Sequence, residues 1–141
     1  MLRSLEQERA KYAWECIQKV KGNIKLLEVE DKYKSYVKSA SSYIQINGLG
    51  NTLAFYKSKF KADLEKKGEN GLSADKKAYY VLYNHIDEWF KKYFRKNEDI
   101  LNWIISEKTS SIDVFQVTKE IIALLNWMKR FAEAELRDKE G

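Results

Sequence analysis

His85 is the single histidine of the 141 residues, and Asp87 and Glu88 follow it closely. Carboxylate-bridged metal sites on helices use the order Glu-x-x-His; His-Ile-Asp-Glu reverses it, and no second histidine exists to complete a ligand set. Cys16, the one cysteine, sits among Ala13, Ile17 and Val20 on one apolar helical side, so neither an intramolecular disulfide nor a thiolate cluster is available. A lone histidine and a lone cysteine, each on an apolar helix face, do not assemble a Ser-His or Cys-His nucleophile. The glycines form neither a phosphate loop nor a dinucleotide fingerprint. The carboxylate pairs Glu28/Glu30 and Glu133/Glu135 lie on stretches with no sign of a cleft. No enzyme, metal or cofactor is therefore expected.

The chemistry that remains is binding. Residues 1–70 carry 14 Lys and Arg against 9 Asp and Glu, and residues 71–141 carry 12 of each, so the whole net charge of +5 belongs to the first half. No acid occurs between Asp31 and Asp63, whereas Lys32, Lys34, Lys38, Lys57, Lys59 and Lys61 do. They interleave with Tyr33, Tyr36, Tyr43, Phe55, Tyr56 and Phe60, a mixture that suits phosphates and unstacked bases. The same pattern also fits a solvated lysine face over tyrosines that belong to the core. At the end of a later helix, Lys91, Lys92, Arg95 and Lys96 suit the helix dipole, which weakens the case for a binding patch there.

These residues are carried by helices. The chain has no proline, where average usage would place about seven, and most of it repeats its apolar residues every three or four positions. The longest helix is expected over Asp113–Leu136. Val114, Val117, Ile121, Leu124, Leu125, Met128, Ala132 and Leu136 fall in one arc, widened by Trp127 and Phe131 on one side and Ile122 on the other. Asp113 with Gln116 is the expected capping box there, and Ile112 with Val117 the hydrophobic staple. Trp127 and Phe131 are expected to pack against the second or fourth helix.

The first helix is expected over Leu5–Lys21, with Ser4 and Gln7 as a capping box, Gly22 at its end and Ala10, Ala13, Trp14, Ile17 and Val20 buried. A second segment covers about Leu26–Ile46, where Ser39, Ser41 and Ser42 leave open whether it is one helix or two. Asn47, Gly48 and Gly50 mark a tight turn. The next helix, about Asn51–Lys66, aligns Leu53, Tyr56, Phe60 and Leu64 and turns Phe55 and Lys59 the other way. Gly68–Gly71 reads as a loop, Ser73 as the cap of a helix to about Lys96, and Asp99–Ser106 as a short helix. In the helix after Ser73, Ala78, Leu82, Ile86, Trp89, Phe90 and Tyr93 are expected to pack. The expected fold class is all-α: one domain, residues 1–141, with about six helices built around the long C-terminal one. The N-terminus is charged from its third residue, and the longest apolar run is Ala78–Tyr83, so neither a signal peptide nor a membrane span is expected. A cytoplasmic protein is the expectation.

Two stretches together resemble a known family. YIQINGLGNTLAFYKSK at 43–59 and TKEIIALLNWMKRFAEAEL at 118–136 look like the small all-helical subunit of the type III-B CRISPR effector, the Cmr complex, and ERAKYA at 8–13 is similar too. The most specific residues are Asn47, Gly48, Leu49, Phe55, Lys57, Lys59, Thr118, Glu120, Trp127, Lys129, Arg130 and Phe131. The resemblance implies six helices and a non-catalytic subunit that stacks in several copies beside the backbone filament, helping hold guide RNA and target RNA. Its implied partners are other Cmr subunits, above all the backbone subunit and further copies of itself. The isolated chain is expected to be monomeric or weakly self-associating. That family would carry a proline before the Asn-Gly-Leu turn, where this chain has Ser39–Ser42.

On this reading Lys57, Lys59, Lys61, Lys129 and Arg130 are the expected RNA-backbone contacts, and Phe55 and Trp127 the expected subunit contacts. Two alternatives stand beside it: a helical protein-interaction module without RNA contact, and a helix-turn-helix-like DNA-binding protein over residues 27–66. The second leaves little reading face, because the helix after Gly50 spends a full stripe on burial.

Overall fold

The computed structural model describes residues 3–21 and 27–138. They form six α-helices, α1 (Leu5–Val20), α2 (Leu27–Asn47), α3 (Leu49–Lys67), α4 (Ala74–Phe94), α5 (Ile100–Ile105) and α6 (Ser111–Glu135), with one 3-10 turn at Glu69–Gly71 and no strand. Gly22, the expected end of the first helix, lies outside the described residues.

Local chemistry accounts for most boundaries. The Ser4 side chain accepts from the Gln7 amide while the Gln7 side chain accepts from the Ser4 amide, the expected capping box. Ser73 caps α4 through the Lys76 amide. Asp99 caps α5 through the Leu101 and Asn102 amides. The segment left open as one helix or two is continuous, because Ser39–Ser42 offers no proline to interrupt the backbone bonds and Ala40 and Ile44 anchor it in the core. Gly48 then breaks the path with φ +85°, a region where a side chain would be strained. α3 consequently begins at Leu49, two residues earlier than expected, and buries that leucine.

Several expectations need correction. α6 is capped by Ser110, whose hydroxyl accepts from the Asp113 amide at 3.1 Å. Asp113 is thereby inside the first turn, where a carboxylate meets the positive helix end, and Ile112 is left 69% exposed, so it does not serve as a buried staple. In α1 the buried stripe is Ala13, Cys16, Ile17 and Val20, which rotates Trp14 to the rim at 42% exposure. α4 ends at Phe94, two residues early, because Arg95 takes the left-handed conformation (φ 54°) and closes the helix. Tyr93 on its last turn is 40% exposed, stacked on Trp89.

Long-range pairs fix the helix directions. Arg9 with Glu120 and Lys21 with Glu135 make α1 parallel to α6. Glu30 with Arg137 and Ser41 with Asn126 make α2 antiparallel to it. Asp63 with Lys76 and Phe60 against Tyr80 make α3 and α4 antiparallel. α2 and α4 thus run against α1, α3 and α6, around a core that includes Tyr33, Ile44, Leu53, Ile86, Trp89, Phe90 and Leu124. The α2–α3 turn, α5 and the start of α6 gather at one end of the bundle. The starts of α2 and α4 and the 3-10 turn gather at the other.

Candidate nucleic-acid and subunit interface

On α3, buried Leu53, Tyr56 and Phe60 define the inward direction. At about 100° per residue, Lys57 and Lys61 fall on one flank of that stripe and Phe55 and Lys59 on the other. The two flanks meet different neighbours. Lys57 Nζ lies 3.7 Å from the Asp99 carboxylate and 5.6 Å from the Tyr83 ring centroid, on the α5 side. Lys59 Nζ lies 5.0 Å over the Phe55 ring, and Phe55 stacks on Tyr43, on the α2 side. Burial pushes the Asp99 carboxyl up, but the Tyr83 hydroxyl first, then the cap bonds and the Lys57 ammonium, together hold it below its usual range.

Lys129 and Arg130 project from either side of the outer face of α6, lining a shallow surface hollow of about 360 Å³ with Asn126 and Glu133. The Ser41–Asn126 hydrogen bond sets α2 beside this face. Counting along the helices from that bond and from the Tyr43–Phe55 stack places Lys59, the exposed Lys38 of α2, and Lys129 at one level of the bundle, with α2 between α3 and α6. The structure therefore sets Lys59 and Lys129 at one level on either side of α2, leaves Arg130 on the α1 side of the outer face of α6, and puts Lys57 and Lys61 on the far flank of α3. Among the described residues, Lys59, Lys61, Lys129 and Arg130 form no salt bridge.

Phe55 and Trp127 are both half-buried. Phe55 belongs to an aromatic seam: Tyr43 stacked at 5.8 Å, Tyr79 edge-on at 5.9 Å and Tyr56 at 6.2 Å. Beneath it the Tyr56 hydroxyl is buried with no hydrogen-bond partner among the described residues. Trp127 leans on Phe131 at 5.5 Å, and Phe131 meets Trp14 edge-on at 5.3 Å. The expected packing of this pair against the second or fourth helix is replaced by packing toward α1. Both rings lie on the α1 flank of α6, and α2 takes the opposite flank. A hollow of about 310 Å³ beside them is lined by Glu6, Arg9, Ala123, Asn126, Trp127 and Arg130.

His85 is buried with its Nδ1 2.7 Å from the Tyr33 hydroxyl, and its carbonyl accepts from Tyr12. Burial lowers its pKa to about 4 and raises that of the buried Cys16 thiol to about 12. Among the described residues no three His, Cys, Asp or Glu side chains converge in a way that could hold a metal ion.

With this geometry in view, the match to known families is direct: the family model described as CRISPR-associated protein (Cas_Cmr5) covers residues 5–135. The chain belongs to the Cas_Cmr5 family. It is a small subunit of the Cmr effector of type III-B CRISPR systems, and membership implies association with other Cmr subunits. No helix among the described residues of this Cmr subunit is long and apolar enough to cross a membrane.

Three acids of the Cmr subunit, each already named from the sequence, take structural roles that its pattern does not predict. Glu120, Glu30 and Asp87 are buried acids. Glu120 receives Arg9 and Trp89; Glu30 receives the Arg137 amide and guanidinium; Asp87 accepts from the Ile100 amide and pairs with Lys91. The signal for them is an acid lying on a helix's apolar arc, as Glu120 does between Val117 and Leu124.

Proposed function

We propose that the chain is a non-catalytic, cytoplasmic subunit that stacks in copies beside the Cmr backbone and helps hold guide and target RNA through its surface cations. The observation that carries this reading is a set of cations that form no salt bridge among the described residues: Lys59 and Lys129 on either side of α2, Arg130 beside Lys129 on α6, and Lys61 on the far flank of α3. Unpaired surface cations are where a phosphate backbone binds without first displacing a carboxylate. Lys57 joins the reading as a weaker contact, because Asp99 already holds its ammonium. A single copy offers few phosphate contacts, so affinity depends on several copies along one strand. In reconstituted complex, Lys59→Glu with Lys129→Glu is expected to leave assembly intact, lower target-RNA affinity roughly tenfold or more and shrink the salt slope by about 0.7 for each lost contact. Lys57→Glu alone is expected to do less. Unchanged affinity in the double variant would favour the interaction module without RNA contact.

Copies and neighbouring subunits need contact faces, and each end of the bundle offers a candidate. At one end Ile46, Ile105, Ile112 and Phe115 are 81%, 72%, 69% and 63% exposed. Nearby Glu107, Lys108, Asp113 and Lys119 carry balanced charge, which suits a protein and not a polyanion. At the other end Val29, Leu72 and Ala74 line a hollow of about 270 Å³ with Glu28, Glu69, Asn70 and Lys77. A protruding apolar end and a hollow on the opposite end favour head-to-tail stacking, which propagates without closing. Phe115→Asp with Ile112→Asp is expected to leave thermal stability within about 0.5 kcal/mol of the parent, as for exposed sites, and to reduce the number of copies per complex counted by native mass spectrometry. An unchanged count removes this end from the stacking contact. On this proposal Phe55 and Trp127, half-buried within the fold, contribute to subunit contact only through their outer edges.

A further inference from the structure

We propose that Tyr43 is a stacking platform for one unpaired nucleobase, with Lys59 beside it for that nucleotide's phosphate; the proposal rests on the RNA-holding reading above and adds a contact that salt does not screen. Tyr43 is 42% exposed although it lies on the flank of α2 that meets α3. One face of its ring is partly covered: Phe55 lies against it in an offset parallel stack, with centroids 5.8 Å apart and an interplanar angle of 10°. On this proposal the exposure belongs to its other face and its rim. That geometry is half of a stack, two parallel rings ending in a solvent-facing aromatic plane, and a third planar ring continues it.

The seam behind the pair is continuous. Phe55 meets Tyr79 edge-on at 5.9 Å, and Tyr79 stacks on Tyr36 at 3.9 Å, so three helices buttress the platform. A platform ordered in advance loses little conformational entropy on binding. Lys59 Nζ stands 5.0 Å over the Phe55 ring, one ring inward from the platform, and it has no ion-pair partner among the described residues. The two acids nearest along these helices are engaged: Asp75 accepts from Tyr36, and Asp63 pairs with Lys76 at 2.6 Å. Lys59 thus stands one ring from an exposed aromatic plane, the combination that single-stranded nucleic acid uses and a duplex, with its bases already stacked, does not.

The test separates stacking from charge in reconstituted complex, with single-stranded RNA and the corresponding duplex as probes. Tyr43→Ala is expected to weaken single-strand binding roughly tenfold, as loss of one base-aromatic stack does, to leave duplex binding alone and to leave the salt slope unchanged. Tyr43→Trp is expected to restore binding, and Lys59→Gln to reduce the slope. 4-Thiouridine placed along the strand is expected to photo-crosslink to the parent at residue 43 and not to the alanine variant. If Tyr43→Ala binds RNA as the parent does while the Lys59→Glu, Lys129→Glu variant is impaired, the platform is overturned and the cation contacts stand. If neither variant changes affinity, the RNA-holding reading fails with it. If Tyr43→Ala abolishes assembly while circular dichroism and melting match the parent, the ring is a protein contact and the proposal is likewise overturned.

Discussion

Arg9→Ala is expected to lower the unfolding free energy by about 3 kcal/mol, the low end of what removing one partner of a buried ion pair costs. Arg9 grips Glu120 with two charge-assisted bonds, Nε to Oε2 at 2.8 Å and Nη2 to Oε1 at 2.7 Å, and the two side chains are only 15% and 7% exposed. The alanine leaves Glu120 buried with the Trp89 indole N–H, 2.9 Å away, as its one remaining side-chain donor among the described residues. A carboxylate in that position keeps its desolvation cost and loses the attraction that offset it. Urea titration measures the loss, with an unchanged slope in denaturant. Adding Glu120→Gln to Arg9→Ala is expected to recover part of the stability by removing the stranded charge while keeping an acceptor for Trp89. A loss under about 0.5 kcal/mol for Arg9→Ala would mean that water reaches the pair and the burial argument is wrong.

The second large effect is a loss of stability on mild acidification through His85. Its imidazole is 7% exposed, and burial depresses its folded-state pKa to about 4 from the usual 6.5. The folded protein therefore binds fewer protons than the unfolded chain between pH 6.5 and 4, so stability falls as pH falls through that window. The gap between the two pKa values corresponds to about 3 kcal/mol in full, and about 2.5 kcal/mol of it is expected to be lost between pH 7.5 and 4.5. Protonation makes both ring nitrogens donors, so that Nδ1 then meets the fully buried Tyr33 hydroxyl only as a donor. Asp63, Asp99 and Glu135 have lowered pKa values, so their own contributions disappear at lower pH, in the same direction. The His85→Gln variant isolates the histidine: it is expected to be less stable at neutral pH but flatter between pH 7.5 and 4.5. Parallel pH profiles for the two proteins would show that His85 is not the group responsible.

Neither site is legible as such in the sequence. His85 is readable as a core histidine because it shares a helix face with apolar residues, but its partner Tyr33 lies 52 residues away, and Arg9 lies 111 residues from Glu120. The candidate RNA surface divides in the same manner. The acid-free lysine run marks residues 32–62 as basic, yet the side of a helix on which each lysine falls decides its role. Helical rotation sets Lys57 toward Asp99 and Lys59 over Phe55, and Lys129 comes to the level of Lys59 from the other end of the chain.

Local sequence suffices for the helices, their caps at Ser4 and Ser73, the turn at Gly48 and the all-helical class. Each of these depends on bonds between residues three or four apart or on one residue's backbone freedom, and both are written locally. Family membership is legible for a related reason, since the matching stretches are read along the chain. The borders of each stripe are set only in the assembled bundle: Trp14, Tyr43 and Tyr93 point to the rim although their spacing suits the core. So are the choice of which acids are buried with a partner and the end of the bundle that exposes Ile46, Ile105, Ile112 and Phe115. A residue on a helix flank is buried or exposed according to the neighbour that arrives there, and that neighbour comes from a distant part of the chain.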